Sequence, residues 1–433
     1  MGIREAAQAA KAASIRLAAA ETKVKHAALN AIAAALEAHR EVIVAANQED
    51  LRVSAQSNLP APLLKRLKFD PKKIAEVVAG IQSLLKLPDP VGVTLAATEL
   101  DEGLELYKVS CPIGVIGVVF ESRPDALVQI STLCLKSGNA VMLKGGAEAI
   151  NTNRILASVI GAASAGAGIP QGWLQLLERR EDVNNMLKLD DYIDLIIPRG
   201  SNEFVRYIMD HSRIPVLGHA DGICHVYVDA DADLDMAARI AVDAKCQYVA
   251  VCNAMETLLV HAAVAADFLP RLQQALTPQA VELRGCQKTR AFIDVAEATE
   301  KDWQTEYLDK ILSVKVVGSL AEAIDHINTY GSGHTDAIVT GNPDSAAIFM
   351  DLCDSGNVFW NCSTRFSDGF RYGLGAEVGI STSKIHARGP VGLEGLVIYK
   401  WKLKGRGQVV ADYADGTKQF NHRPLNKPSS SMR

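Results

Sequence analysis

The residue of this sequence best placed to do chemistry is a cysteine, Cys252. It follows a helix predicted to end near Tyr248 and precedes a strand predicted to open at Thr257, so it lies in a loop. A thiol at the entry of a strand, beside the small Ala254, can face a cleft and act as a nucleophile. The alternative is a buried structural cysteine, the usual state of this residue type, and we expect that state for Cys246.

The other cysteines and the common sequence motifs exclude several chemistries. The chain has 8 cysteines and no Cys-x-x-Cys pair, which excludes zinc ribbons and thioredoxin-type redox sites. It has no Gly-x-Gly-x-x-Gly between a first strand and its helix, no Walker A loop, no His-Glu-x-x-His and no Gly-x-Ser-x-Gly. The motifs that would indicate an ATPase, a zinc protease or a serine hydrolase are therefore absent from the sequence, and no metal site is predicted.

The elements that must position these residues alternate between strand and helix patterns. Residues 114–120 form a continuous apolar run, typical of a buried parallel strand, and 104–109 alternate as a half-buried strand does. The further predicted strands are 140–143, 173–177, 192–197, 224–228, 257–260, 314–317, 337–339, 357–361 and 396–401. Repeated strand–helix–strand units predict an α/β fold with doubly wound parallel sheets.

Composition and charge limit the setting in which the protein acts. Lys plus Arg total 45 against 50 Asp plus Glu, a net charge of −5, whereas nucleic-acid binding proteins carry a basic footprint. No uninterrupted apolar stretch is long enough to span a bilayer, and residues 1–20 mix charges among alanines instead of forming a signal peptide. We therefore expect a cytoplasmic protein with reduced thiols, and 433 residues predict two or three domains.

Seven segments spread along nearly the whole chain carry a family resemblance. They are 119–125 (VFESRPD), 136–146 (KSGNAVMLKGG), 195–202 (LIIPRGSN), 251–257 (VCNAMET), 334–338 (HTDAI), 375–382 (GAEVGIST) and 385–393 (IHARGPVGL). Together they resemble the aldehyde dehydrogenase superfamily. Within it they resemble the glutamate-5-semialdehyde dehydrogenase (gamma-glutamyl phosphate reductase) family of proline biosynthesis.

The resemblance implies a domain organisation: two doubly wound parallel-sheet domains and a small β flap for oligomerisation. Residues 1–220, apart from a flap strand at 98–111, would form the NADP-binding domain, and 221–388 the catalytic domain. Residues 389–420 would join 98–111 in the flap, and 421–433 would form a tail. Because such a flap leaves strand edges unpaired, we expect a homo-oligomer, either a dimer or a tetramer. Glutamate 5-kinase is a further partner that the resemblance implies.

The implied reaction is the NADPH-dependent reduction of L-glutamyl 5-phosphate to L-glutamate 5-semialdehyde and phosphate. Residues 251–254 (VCNA) match the family's nucleophile motif, so Cys252 would form a thioester that is then reduced. The alternative is another oxidoreductase of the superfamily, acting on a different aldehyde or acyl phosphate. A hydrolytic or CoA-acylating enzyme would need a general base or a CoA site, and an inactive paralogue would be expected to lack Cys252 or Lys144.

The resemblance also implies which cofactor is bound. Lys144, at the end of a strand, matches the lysine that reaches the adenosine ribose, although a solvated lysine would look the same. Ala147 stands where NAD-preferring relatives carry a ribose-binding glutamate, and the nearest acid, Glu148, is one residue further on. Without that carboxylate a ribose phosphate meets less repulsion, so the sequence favours NADP(H).

Three more positions match cofactor-binding residues. Gly200 and Ser201 lie between a strand and a helix, where backbone N–H groups can bind a pyrophosphate. Glu306 matches the acid that binds the nicotinamide ribose, with an isolated surface glutamate as the alternative.

The position of the general base differs from that of hydrolytic relatives. Those enzymes carry a glutamate ahead of the segment found here at 231–235 (DADLD), and ungapped counting places His219 there. Without a carboxylate to activate water, a thioester would be spared hydrolysis. His219 would then either assist the departure of phosphate or be a hydrogen-bonded loop residue. The oxyanion donor stays open between Arg123, Ser122 and Asn253.

Arginines are the expected anion-binding residues of the substrate site. The substrate that the resemblance implies carries an amino-acid carboxylate and an acyl phosphate, and both suit guanidinium groups. The candidates are Arg123, Arg365 and Arg371, with surface ion pairs as the alternative role for each.

Overall fold

The structure is a computed structural model that describes residues 2–179 and 181–428. The chain forms two compact units. The first comprises Met1–Gly200, Tyr207–Val216 and Val391–Arg433, and the second comprises Ser201–Arg206 and Leu217–Pro390. The sequence analysis placed domain boundaries after residues 220 and 388. The units divide slightly differently, after residues 216 and 390, and the segment 201–206 belongs to the second unit.

The helices and strands follow one another along the chain in an alternating order. The α-helices are α1 (Ile3–Leu17), α2 (Thr22–Ala38), α3 (Arg40–Gln56), α4 (Ala61–Leu67), α5 (Pro71–Lys86), α6 (Pro124–Lys136), α7 (Ile150–Gly166), α8 (Asp182–Met186), α9 (Asn202–His211), α10 (Leu234–Cys246), α11 (Ala265–Leu276), α12 (Gln287–Arg290), α13 (Leu320–Tyr330), α14 (Pro343–Leu352) and α15 (Ala411–Ala414). The strands are β1 (Thr94–Asp101), β2 (Leu104–Pro112), β3 (Val115–Phe120), β4 (Ala140–Lys144), β5 (Leu174–Leu177), β6 (Leu195–Arg199), β7 (Cys224–Val228), β8 (Met255–His261), β9 (Glu282–Gly285), β10 (Ala296–Glu297), β11 (Ile311–Val317), β12 (Thr335–Val339), β13 (Asn357–Trp360), β14 (Gly379–Ser381), β15 (Gly389–Val391), β16 (Val397–Lys404) and β17 (Arg423–Pro424). Among the described residues, no helix is both long enough and apolar enough to cross a membrane.

A four-stranded parallel sheet, in the order β5-β4-β3-β6, forms the centre of the first unit. The continuous apolar run at 114–120 and the strand predicted at 140–143 become β3 and β4, and every residue of these two strands is buried. The strand predicted at 192–197 begins later, at Leu195. The reason is local, because the backbone N–H groups of Tyr192 and Ile193 both donate to the Leu189 carbonyl in a turn, each at 2.9 Å.

The second unit is built on a seven-stranded parallel sheet in the order β10-β9-β11-β8-β7-β12-β13. The predicted strands 224–228, 257–260, 314–317, 337–339 and 357–361 all lie in it. The sequence analysis missed β9, which is short and only partly buried, and β10, whose two residues are exposed. Apolar side chains of α10 and α11 pack against the buried strands and form the core of this unit. The sheet therefore holds β8, β7 and β12 side by side.

A third sheet, in the order β16-β2-β1-β17, is antiparallel and belongs to the first unit. Strand β2 pairs with β16 over its length, from Glu105 opposite Lys404 to Pro112 opposite Val397. The sequence analysis did not predict β1 as a separate strand, and it described residues 421–433 as a tail. Residues 423–424 are instead strand β17, which pairs with β1.

Candidate active site

The predicted nucleophile lies at the end of the second sheet where three neighbouring interior strands begin. Cys252 lies before β8, His219 lies before β7, and His334 immediately precedes β12. Because β8, β7 and β12 are adjacent and parallel, the residues that precede them meet at the N-terminal end of these strands. The Cys252 sulfur and one ring nitrogen of each histidine lie within 4.8 Å of one another.

The loop that carries Cys252 packs closely against the entry of β7. A Cβ atom at Gly222 would lie 2.2 Å from the carbonyl oxygen of Cys252 and 2.5 Å from its Cα, so the approach requires glycine. The Cys224 thiol donates a hydrogen bond to the same carbonyl oxygen at 3.2 Å. The backbone N–H of Ala254 closes a turn by donating to Val251 at 3.1 Å. These contacts leave Cys252 half-buried at the edge of the sheet.

Two histidines flank this cysteine. The Nδ1 atom of His219 lies 2.8 Å from the carbonyl oxygen of Ile380 and must donate there, because a carbonyl can only accept. His334 is fully buried, and its Nδ1 lies 2.8 Å from the Thr335 hydroxyl and 3.6 Å from the Cys224 sulfur. The ring centroids of His219 and His334 are 4.8 Å apart, edge to face. The sequence analysis missed His334 as a site residue, although this histidine opens the family segment 334–338, which was an available signal.

Two of the candidate oxyanion donors are engaged by the protein itself. The Asn253 side-chain amide is buried and donates to the Ser367 carbonyl at 2.7 Å, while the Thr364 hydroxyl donates to the Asn253 carbonyl at 2.8 Å. In the first unit, Ser122 donates from its backbone N–H and its hydroxyl to Glu148, at 2.6 and 2.7 Å. Asn253 therefore ties the Cys252 loop to the loop 363–371, and Ser122 holds Glu148.

The three candidate arginines are distributed over both units. Arg365 is 8% exposed, and its Nε donates to the Gln247 side chain at 3.0 Å. Arg371 donates to the Arg365 carbonyl at 2.5 Å, so the two arginines lie in one loop of the second unit. Burial and the charge of Arg371 lower the pKa of Arg365, and a negative charge on Cys252 opposes this shift. Arg123 belongs to the first unit, where it is exposed at the start of α6.

Lys144, the candidate cofactor lysine, is buried at the end of β4, so the solvated alternative is wrong. Its Nζ donates to the Gly145 carbonyl at 2.6 Å. Burial lowers the pKa of Lys144, and nearby carboxylates, led by Asp182 and Glu148, oppose that shift. Ala147 is exposed beside it. The Glu148 carboxylate next in sequence is already held by hydrogen bonds within the unit.

Of the other candidate cofactor residues, Gly200 and Ser201 lie directly before α9, and Glu306 lies between β10 and β11. Gly200 is exposed at the end of the first segment of the first unit. Ser201 directly precedes α9 and belongs to the second unit, as does Glu306. The Asn202 side chain donates to Glu306 at 2.5 Å and to Asp221 at 3.0 Å. Burial raises the pKa of Glu306, and the bond from Asn202 opposes this shift. Glu306 is therefore a half-buried, hydrogen-bonded acid and not an isolated surface glutamate.

A buried ion pair supports the Cys252 loop from both ends. Lys245 on α10 and Glu256 on β8 are fully buried, with the Lys245 Nζ 2.5 Å from a Glu256 oxygen. The backbone N–H of Leu308 donates to the other oxygen of Glu256 at 3.3 Å. Burial raises the pKa of Glu256 to about 7. The sequence analysis missed this pair, because nothing in the spacing of a helix residue and a strand residue shows that both are buried.

The first comparison with known proteins defines the class. Residues 1–289 match the model described as the Aldehyde dehydrogenase family. Because this is more than half of the chain, the protein belongs to the aldehyde dehydrogenase family, which uses nicotinamide cofactors. The fold expected from the sequence, with parallel α/β sheets of this family, is confirmed.

Closer relatives define the particular family. Proteins named gamma-glutamyl phosphate reductase from Pelotomaculum thermopropionicum and Acetivibrio thermocellus are each 68% identical, covering 99% of this chain and 98% and 99% of their own. A crystal structure of that name from Thermotoga maritima is 40% identical with a TM-score of 0.92, covering 94% of this chain and 99% of its own. The chain therefore belongs to the gamma-glutamyl phosphate reductase family and is an oxidoreductase of the aldehyde group, which confirms the resemblance.

Proposed function

We propose that this protein reduces L-glutamyl 5-phosphate to L-glutamate 5-semialdehyde and phosphate with NADPH, in proline biosynthesis from glutamate. The names of its relatives support the substrate. The observation that carries the proposal is the position of Cys252 at the N-terminal end of the second sheet, with His219 beside it. The buried Arg365 is close enough to interact with a charge on the Cys252 sulfur.

Cys252 is the proposed nucleophile. Its loop is fixed on one side by the close approach of Gly222 and on the other by the Asn253 side chain. The sulfur attacks the acyl carbon, the bond from that carbon to the phosphate oxygen breaks, and phosphate leaves with the electron pair. When bound, NADPH supplies the hydride that reduces the thioester. The carbon–sulfur bond then breaks, which releases the aldehyde and returns the electron pair to the sulfur.

His219 is proposed to favour phosphate over water at this step. The cluster that it forms with Cys252 and His334 contains no carboxylate to deprotonate an attacking water. The Nδ1 proton of His219 is held by the Ile380 carbonyl, so its chemistry must take place at Nε2. As an imidazolium, His219 donates the Nε2 proton to the departing phosphate.

Arg365 and Arg371 are the proposed anion-binding residues of the second unit. The bond from Arg365 to Gln247 uses its Nε donor. The terminal amino groups of the guanidinium supply the paired N–H donors that suit a carboxylate or a phosphate. Arg123, exposed in the first unit, is proposed as a third anion-binding residue.

The residues of the first unit fit the phosphate of NADP(H). The buried Lys144 amino group has a neutral carbonyl oxygen as its hydrogen-bond partner, so an anionic phosphate would compensate its charge. No acid stands at position 147, and Ser122 holds Glu148 in place. Lys144 would therefore bind the ribose phosphate, and Gly200 would offer its backbone N–H to the pyrophosphate.

In the second unit, Ser201 would offer a further N–H to the pyrophosphate, because it directly precedes α9. Glu306 would accept hydrogen bonds from the nicotinamide ribose. Its carboxylate already accepts one from Asn202, which fixes its orientation.

Homo-oligomerisation is proposed through the antiparallel sheet of the first unit. Its edge strand β16 exposes large apolar side chains, of which Trp401 is 57% and Leu403 58% exposed. An edge strand of this kind is normally covered, and a second copy of the chain would cover it. A cytoplasmic location and an association with glutamate 5-kinase are also proposed, from composition and family resemblance respectively.

The function is tested in the oxidative direction. Purified protein is incubated with glutamate semialdehyde and NADP⁺, with and without phosphate, and NADPH formation is recorded by absorbance. We expect oxidation that depends on phosphate and yields an acyl phosphate. Oxidation of a different aldehyde in place of this one would contradict the proposal and favour another reaction of the superfamily.

A further inference from the structure

We propose that Cys252, His219 and His334 form a binding site for a thiophilic divalent cation, above all Zn²⁺, which reversibly blocks the Cys252 thiol. The three ligand atoms lie within 4.8 Å of one another. Two imidazoles and a thiolate are ligands that zinc prefers, and three protein ligands leave the fourth position to water. The sequence analysis predicted no metal site, because it found no metal-binding motif, and these three residues are far apart along the chain.

The groups around the two histidines orient them as ligands. Metal-bound histidines usually donate their other ring N–H to a carbonyl or a similar acceptor, which fixes the tautomer. His219 meets this condition, with Nδ1 2.8 Å from the Ile380 carbonyl oxygen. In His334, Nδ1 lies 2.8 Å from the Thr335 hydroxyl, which can accept from it or donate to it. When Nδ1 is the protonated nitrogen of each ring, the Nε2 lone pair is available to the cation.

His334 provides an independent sign of a missing ligand. Its side chain is 0% exposed, and within the described part of the chain its Nε2 has no hydrogen-bond partner. Leaving a buried polar atom unpaired costs free energy. The histidine belongs to the cluster formed with Cys252 and His219, and a cation held there through Nε2 would satisfy this buried atom.

Binding requires only a small movement of the ligand atoms and the loss of one proton. Zinc–nitrogen and zinc–sulfur bonds of about 2.1 and 2.3 Å place tetrahedral ligand atoms about 3.5 Å apart, so the largest separation closes by about 1 Å. The half-buried Cys252 side chain can supply that movement by rotation. The S–H proton leaves to solvent as the sulfur–zinc bond forms, and no electron is transferred. The nearby Arg365 charge opposes the cation, so this site is weaker than a structural zinc site.

Binding of the cation and the loss of turnover rest on different properties of the site. Binding of the cation stands on the geometry of the three side chains alone. The loss of turnover on binding also rests on the proposed function, since it requires Cys252 to be the nucleophile.

The test uses the full-length protein stripped of metal and titrated with Co²⁺, a spectroscopic substitute for Zn²⁺. We expect one Co²⁺ per chain, a thiolate-to-cobalt absorption band in the near ultraviolet, and loss of the band when Zn²⁺ displaces the cobalt. The variants Cys252→Ser and His219→Gln should weaken Zn²⁺ binding at least tenfold. Cys246→Ser is the matched control and should bind as the unmodified protein does. His334→Gln is added if thermal unfolding shows that it folds.

The possible outcomes distinguish cation binding from the loss of turnover that it causes. Absence of the thiolate band, or a band that persists in Cys252→Ser, overturns the site. If the band requires Cys252 but the Zn²⁺-bound protein keeps full turnover, the cation site is upheld. The proposals that the cation blocks turnover and that Cys252 is the nucleophile are then both overturned. Loss of turnover that a chelator restores, in parallel with loss of the band, supports both.

Discussion

Gly222 lies closer to the Cys252 backbone than any side chain would allow, so Gly222→Ala should damage the site without unfolding the protein. The added Cβ would lie 2.2 Å from the Cys252 carbonyl oxygen and 2.5 Å from its Cα. A carbon–oxygen contact needs about 3.3 Å, so the Cys252 loop must move by about 1 Å. The neighbour is backbone, and no rotation of a side chain can relieve the clash.

The magnitude follows from that displacement. Overpacking of a buried position costs about 1–3 kcal/mol of stability, which a protein of this size can tolerate. A misplacement of about 1 Å in an active site can lower the rate about 100-fold, equivalent to about 2.7 kcal/mol of transition-state stabilisation. We therefore expect kcat/KM to fall about 100-fold while the midpoint of thermal unfolding changes only slightly.

The assay is phosphate-dependent oxidation of glutamate semialdehyde, together with the rate at which iodoacetamide alkylates Cys252. Gly161→Ala on α7 is the control, because beyond its chain neighbours and the adjacent backbone of α7 a Cβ there would meet no atom within 4 Å. That variant should keep full activity and gain a little stability from lower chain entropy. A Gly222→Ala enzyme that folds, turns over within threefold of the unmodified protein and alkylates at the same rate would refute the argument that this contact positions Cys252.

Four further predictions concern the site and the fold. Cys252→Ser should lower turnover by more than about 10³-fold with cofactor binding retained, and near-normal turnover would remove the nucleophile assignment. The enzyme should prefer NADPH to NADH by at least about tenfold, or about 1.4 kcal/mol, and Lys144→Met should reduce that ratio in steady-state kinetics. His219→Glu should raise phosphate-independent formation of glutamate from the semialdehyde, whereas rapid glutamate formation by the unmodified enzyme would show that another group is the base. Burial by itself would raise the pKa of Asp302, but hydrogen bonds from neighbours that include Arg284 hold this pKa below its usual range. The stability that the charged carboxylate contributes to the fold is therefore present above the usual pKa range of an aspartate and lost in acid. Asp302→Asn should therefore lower the free energy of unfolding by about 2 kcal/mol at pH 7, and in urea titrations the difference should shrink below about pH 4; a constant difference would contradict it.

Strand prediction succeeded where burial leaves a mark on the sequence. The continuous apolar run that became β3 and the strand at 337–339, which is the apolar part of β12, were found, since a central parallel strand has both faces covered. Strand β9 was missed because it is short and carries Glu282 and Arg284. Strand β17 was missed because two residues at the end of the chain have no periodicity of their own, and their pairing with β1 alone makes them a strand.

The sequence by itself determined the alternation of strands and helices, the placement of Cys252 in a loop before a strand, and the family to which the chain belongs. Each of these depends on short segments, within which the residues are close together along the chain. Only the tertiary structure decided that β8, β7 and β12 are neighbours, and therefore that Cys252, His219 and His334 meet. The order of parallel strands is set by the packing of the crossover helices and not by local sequence, so no local pattern could have shown that meeting.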